Sequence, residues 1–222
     1  QIDMEADYLA TLLAFVDKTA TGSTDPKQTA TTLQKALDPK SVTVLDYAPA
    51  VDQNGFVVTK ATADKYKLAK LSDLVPVANQ LTLGGPAECP NRPFCALGLK
   101  NTYGLTFKDF KPLDTGGPLT VTALKGGQID IGLLFTSDAR IAAEGFVLLE
   151  DDKHLQLSDN VAPVVRNEYA TKAGDDFKKL INSIAPKLTT AELTGLNKLA
   201  DIDKKDPKDI AKDWLKKQGL IK

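Results

Sequence analysis

Cys89 and Cys95 are the only cysteines and His154 the only histidine among 222 residues. That inventory closes most routes to covalent chemistry. A nucleophile activated by imidazole would have to use His154, which stands in a polar stretch, and no clear carboxylate dyad shows in the sequence. Zinc needs four ligands, and one histidine with two cysteines does not supply them. No metal and no cofactor are expected. The pairs Gly84-Gly85 and Gly116-Gly117 have neither the spacing of a P-loop nor that of a dinucleotide fingerprint. The acidic run Glu150-Asp151-Asp152 reads as a solvated turn. The cysteines stand six apart with Pro90, Arg92 and Pro93 between them. A bridge closing that short loop is sterically plausible and suits an oxidising compartment; the rival reading is two small buried thiols. These residues are suited to holding something, not to making or breaking a bond, so no enzyme is expected.

Composition narrows the partners. Hydrophobic residues make up 42% and charged residues 26%, ordinary values for a globular protein. A net charge of −1 sets up no long-range field for nucleic acid or an anionic membrane, and neither is expected as a partner. No apolar run approaches the ~20 residues that span a bilayer. The opening Gln-Ile-Asp-Met-Glu-Ala-Asp lacks the basic and apolar regions of a signal peptide.

The elements that must position any site centre on 81–152. There, short apolar runs (Leu81-Thr-Leu-Gly-Gly, Ile129 to Phe135, Phe146 to Leu149) and the segment Phe107 to Asp114 alternate with helical segments such as Pro118 to Lys125. That alternation predicts strand–helix–strand units around a mostly parallel sheet. Before it, three-and-four spacing predicts a helix over 4–17, and Asp25-Pro26 opens another to 37. A short strand follows at 42–45, and Gly55 begins a further strand. After it come a strand at 161–166 and helices at 172–184, 189–199 and 206–218. Gln1-Ile-Asp-Met nearly repeats Gln128-Ile-Asp-Ile, a weak sign of two lobes of related construction. The expected organisation is α/β, with residues 1–54 and 162–222 forming a discontinuous first lobe and 55–161 a second. Two crossings make a hinge, and two lobes on a hinge make a cleft.

Several stretches resemble the osmoprotectant-binding proteins of ABC importers, the glycine betaine/choline/carnitine receptors. They are Leu81 to Glu88, Asn91-Arg92-Pro93, Lys111 to Asp114, Ala123 to Asp130, Phe135 to Ile141, Val147 to Asp152 and Ala162 to Arg166. The resemblance implies a type II periplasmic-binding-protein fold, two lobes joined by a two-strand hinge. It also implies a first lobe without its usual opening strands and helix. The implied function is that of an extracytoplasmic receptor, periplasmic or a cell-surface lipoprotein with at most a lipid anchor on a preceding segment. Such a receptor delivers a compatible solute to the importer's membrane subunits. A ligand-sensing module of the same fold is the alternative, as is a receptor of changed specificity for an uncharged or aromatic ligand.

The family encloses a trimethylammonium group in aromatic rings, by cation–π attraction, and fixes any carboxylate with a basic side chain. Carried over by motif, Tyr8 falls on a cage ring and Thr11 on a polar contact. Asn54-Gly55-Phe56 matches a triplet that places Phe56 at a second ring and Asn54 as a ligand contact beside it. Arg92 matches the carboxylate-binding arginine and Phe135 a third ring, with Thr136 after it a further contact; counting back from Pro163 puts Asp159 at the position of a fourth ring. One tyrosine, two phenylalanines and an aspartate thus stand where the pattern has four tyrosines. Each has a plainer rival reading: Tyr8, Phe56 and Phe135 as core, Arg92 as a surface ion pair, Thr136 as a helix cap and Asp159 as a loop residue.

Overall fold

In the computed structural model, which describes residues 2–222, the chain forms two units, Gln1–Gln53 with Leu157–Lys222, and Asn54–Gln156. In chain order the elements are β1 (Met4–Tyr8), α1 (Leu9–Val16), α2 (Pro26–Leu37), β2 (Val42–Val44), β3 (Asn54–Thr59), α3 (Lys60–Tyr66), β4 (Thr82–Pro86) and α4 (Ala96–Gly98). They continue with β5 (Asp109–Leu113), α5 (Pro118–Lys125), β6 (Ile131–Phe135), α6 (Arg140–Ala143), β7 (Phe146–Leu148), β8 (Val161–Arg166), α7 (Asn167–Ile184), α8 (Thr190–Asp201) and α9 (Pro207–Lys217).

The first unit is built on a three-stranded sheet, order β1-β8-β2, with both pairs antiparallel. The helix expected from residue 4 therefore begins only at Leu9. Val161, Val164 and Val165 make β8 a strong strand, and its ladder takes in Met4 to Tyr8 with Ala6 opposite Pro163. Ala6 matched the helical spacing by coincidence; Leu9, Ala10 and Leu13 carry the true period and are all buried. Leu9, Leu13, Leu33 and Leu37 pack on one face of this sheet with Ala162 and Val164. On the other face Leu45, Val165 and Ala170 pack with Phe177 and Ile181 of α7. Each fully buried leucine contributes roughly 1.5–3 kcal/mol. The helix expected at 172 opens instead at Asn167 and breaks at Gly174, whose φ of 81° is a conformation that glycine adopts without steric cost. Asp25, Thr189 and Asp206 cap the helices expected to open there, each side chain accepting a backbone N–H of the first turn.

The chain re-enters this unit at Leu157, five residues before the expected return at 162. The reason is hydrogen bonding at the start of α1, whose first N–H groups lack partners inside the helix. Leu9 N donates to Asn160 O and Ala10 N to Ser158 O, both at 3.2 Å. Ser158 Oγ in turn donates to Ser23 O at 2.7 Å.

The second unit holds a five-stranded sheet, order β5-β4-β6-β3-β7. Strand β4 runs parallel to β5 and β6, and only β3 runs against its neighbours. The expected mostly parallel sheet is therefore present with one reversed strand, and Asn54 opens that strand within this unit. Phe56, Val58, Leu83, Ile131 and Leu133 fill one face; Val57, Leu124, Ile129 and Leu134 fill the other.

Asp114 caps α5. Its carboxylate accepts N–H bonds from Gly117, Leu119 and Thr120 and the Thr120 hydroxyl at 2.8–3.1 Å. Burial works to raise this carboxyl, but the bonds from Leu119, Thr120 and Gly117 outweigh it and hold Asp114 below the usual carboxylate range. A depressed carboxyl stabilises the fold above its unfolded value, near 4, and that contribution is lost as pH falls through the folded value. Asp114→Ala is expected to cost about 1–2 kcal/mol at pH 7. In urea titrations the gap from the parent chain should narrow below about pH 4.

Candidate functional site

In the first unit four of the relevant side chains share one patch. Tyr8 ends β1 and stands at the N-cap of α1 without capping it. Asp159 caps instead: Thr11 N donates to Oδ1 at 2.8 Å and Thr11 Oγ1 to Oδ2 at 3.0 Å. Tyr8 Oη donates to Asp52 Oδ2 at 2.9 Å, and Asp52 N donates to Asp159 O at 3.1 Å. Burial pushes the Tyr8 hydroxyl well above the ordinary phenol value, with Asp52 adding to the effect, so Tyr8 stays protonated and donates. Burial likewise raises the Asp159 carboxyl against the bonds from Thr11.

Asp159 is corrected from a direct ligand contact to the cap that seats Tyr8 and Thr11. Both of its oxygens serve α1, and it is only 6% exposed. Removing it strands a donor at a helix start. Asp159→Ala is expected to cost about 1–3 kcal/mol, measured by urea unfolding, and Asp159→Asn less, because an acceptor remains. Asp52 was missed by the sequence reading: it lies in an irregular stretch, and no motif distinguishes it.

In the second unit the residues cluster at one end of the sheet. Asn54, first in β3, pairs with Phe135, last in β6. The Phe135 ring rests on Gly116, where a Cβ would come within 3.1 Å of it, and the Thr136 methyl stands 3.6 Å from where a Gly55 Cβ would lie. Phe56 is corrected outright. The residue is 2% exposed and sits in the apolar core with Val58 and Leu83, because alternation along β3 turns it to the same buried face as Val58.

Arg92 lies on a loop closed by a Cys89–Cys95 disulfide with a Cα–Cα distance of 5.2 Å. Arg92 N donates to Cys89 O and Cys95 N to Arg92 O. Gly98 packs against the same loop so closely that a Cβ there would stand 1.8 Å from Pro93 O. The guanidinium reaches Glu88 only at 3.9 Å, with its side chain 36% exposed. Such a pair contributes about 0–1 kcal/mol, so Arg92 gives up little to bind another anion. The Asn54 amide is engaged with the loop, donating to Phe94 O at 3.0 Å.

The acidic run is also corrected. Asp151 accepts from Tyr103 Oη, Leu155 N and Gln156 N, and Asp152 from Ser72 N and Oγ. Those two carboxylates brace the chain before the second crossing, while Glu150 is exposed as a solvated turn requires. Among the described residues no group of three or more histidine, cysteine or acidic side chains forms a metal site. No helix among them is long and apolar enough to cross a membrane. The first unit thus presents a ring and hydroxyls at Tyr8 and Thr11, and the second a ring at Phe135 and a loosely paired guanidinium at Arg92.

The family described as the substrate binding domain of ABC-type glycine betaine transport systems matches residues 1–217. The chain belongs to that family. It is a family of transport binding proteins, not of enzymes. The chain is 32% identical over 167 residues to the carnitine transport binding protein OpuCC of Listeria monocytogenes, covering 75% of this chain and 53% of that protein. It is 33% identical over 156 residues to a glycine-betaine-binding protein of Pseudomonas aeruginosa, covering 69% and 49%. The chain thus spans about half the length of the curated relatives it matches. A crystal structure of a glycine betaine/carnitine/choline ABC transporter superposes with a TM-score of 0.79 at 31% identity, covering 98% of this chain and 79% of that one. The fold is α/β and periplasmic-binding-protein-like.

Proposed function

We propose that this chain is the solute-receiving part of an ABC importer for quaternary ammonium osmoprotectants. The match of residues 1–217 to the glycine betaine family carries this reading. Geometry supports it at Arg92, a guanidinium on a braced loop with only a loose ion pair of its own, suited to a ligand carboxylate. In this reading Tyr8 and Thr11 are the solute contacts that the first unit supplies, and Arg92, Phe135 and Thr136 those that the second supplies. The two chain crossings, at 53–54 and 156–157, act as the hinge. Ligand that touches both units more fully in a closed state than in an open one drives closure. The closed form then docks on the membrane subunits at the extracytoplasmic side.

A second reading has one observation in its favour. With Phe56 in the core and Asp159 engaged by Thr11, Tyr8 and Phe135 are the rings left for a cage, which suits a ligand of changed type. Thermal shift separates the two. Glycine betaine, carnitine, choline and proline betaine are compared with neutral aromatic compounds. At 100-fold excess over Kd, a true ligand adds about 2.7 kcal/mol of stability. At least one quaternary amine should raise the midpoint; a response to uncharged compounds alone would establish the second reading.

A further inference from the structure

Asn54 is the first residue of the second unit and Gln156 the last. Their side-chain amides converge on one acceptor, the Phe94 carbonyl, at 3.0 Å and 2.9 Å. A carbonyl oxygen has two lone pairs, so both donors are served at once. Phe94 lies two residues beyond Arg92, inside the loop that the disulfide closes. The backbone of Gln156 is itself fixed, its N–H donating to Asp151 Oδ2 at 2.7 Å. On the first unit's side of the same crossings, the Gln53 amide donates to Leu157 O. Gln156 is 6% exposed, so losing its bond would leave a buried donor or acceptor unsatisfied.

We infer that Asn54, Gln156 and the Phe94 carbonyl form a clasp joining both crossing segments to the Arg92 loop, and that Gln156 is thereby a positioning residue for carboxylate recognition. The clasp makes the placement of Arg92 depend on the state of the crossings, and by linkage the crossings depend on what Arg92 holds. It rests on the reading of Arg92 as the carboxylate contact. Asn54 changes role with it, from ligand contact to half of the clasp.

The test uses Gln156→Leu, which keeps bulk but removes the donor, and Asn54→Leu as a second variant. Hydrogen exchange is read without ligand, and glycine betaine and choline are titrated into each protein. The clasp predicts at least tenfold faster amide exchange over residues 91–97, with α5 unchanged within about twofold. It also predicts that affinity for glycine betaine falls about tenfold relative to choline, which has no carboxylate for Arg92 to hold. Exchange over 91–97 equal to that of the parent chain, or a uniform acceleration that includes α5, overturns the clasp. So does an unchanged ratio of the two affinities. A parent chain that binds neither compound contradicts the proposed function instead, and the exchange result then decides the clasp by itself.

Discussion

Arg92→Ala is expected to weaken binding of glycine betaine and carnitine by about 10- to 100-fold while leaving choline within about threefold. The magnitude follows from the loss of charged hydrogen bonds to a carboxylate, about 1.5–3 kcal/mol. The selectivity follows from chemistry, since choline carries the quaternary ammonium group without a carboxylate. The free protein loses little by the change, because Arg92 sits 3.9 Å from Glu88 with a partly exposed side chain, and such pairs contribute little. Arg92→Lys should fall between, keeping the charge but losing the planar fork. Calorimetric titration reads all three ligands on the same preparations. Equal losses for choline and glycine betaine would return Arg92 to an ordinary surface cation.

The second large effect is on stability. Replacing Cys89 and Cys95 together by serine is expected to cost about 2–3 kcal/mol and to loosen the loop that carries Arg92. Both sulfurs lie in the core, the residues 0% and 1% exposed, packed among Leu71, Leu83 and Leu99. The variant therefore loses the cross-link and also places two hydroxyls in an apolar environment, where an unpartnered hydroxyl is costly. Urea unfolding of oxidised parent and variant measures the difference. An indistinguishable midpoint would mean that Gly98 and the Phe94 carbonyl hold the loop without help from the bond.

What the sequence showed and what it hid divide along physical lines. Local chemistry was legible: Asp25-Pro26, Thr189 and Asp206 announced helix starts because a cap is a short-range hydrogen bond. The alternation within 81–148 announced its sheet because burial imposes the period. Pairing partners were not legible. Met4 to Tyr8 became a strand through β8, more than 150 residues away in sequence, and no local pattern records that. The site followed the same division. Motif likeness singled out Phe56, but which face of β3 a side chain takes depends on the register with β6. Asp159 stood at a ring position by counting, yet Thr11 claims its carboxylate. Asp52, Gln156 and the Phe94 carbonyl were invisible because their roles exist only once distant segments meet.

As the proposed receptor, this chain is expected to grip a quaternary ammonium solute and return it unchanged. Equilibrium dialysis of purified protein with isotopically labelled glycine betaine, followed by NMR of the recovered solute, tests it most directly. The expected result is saturable binding at one site per chain, weakened at least tenfold by Tyr8→Ala through loss of a cage ring, with the recovered compound chemically identical to what was added. Binding that Tyr8→Ala leaves untouched, or a recovered solute that has been altered, would contradict it.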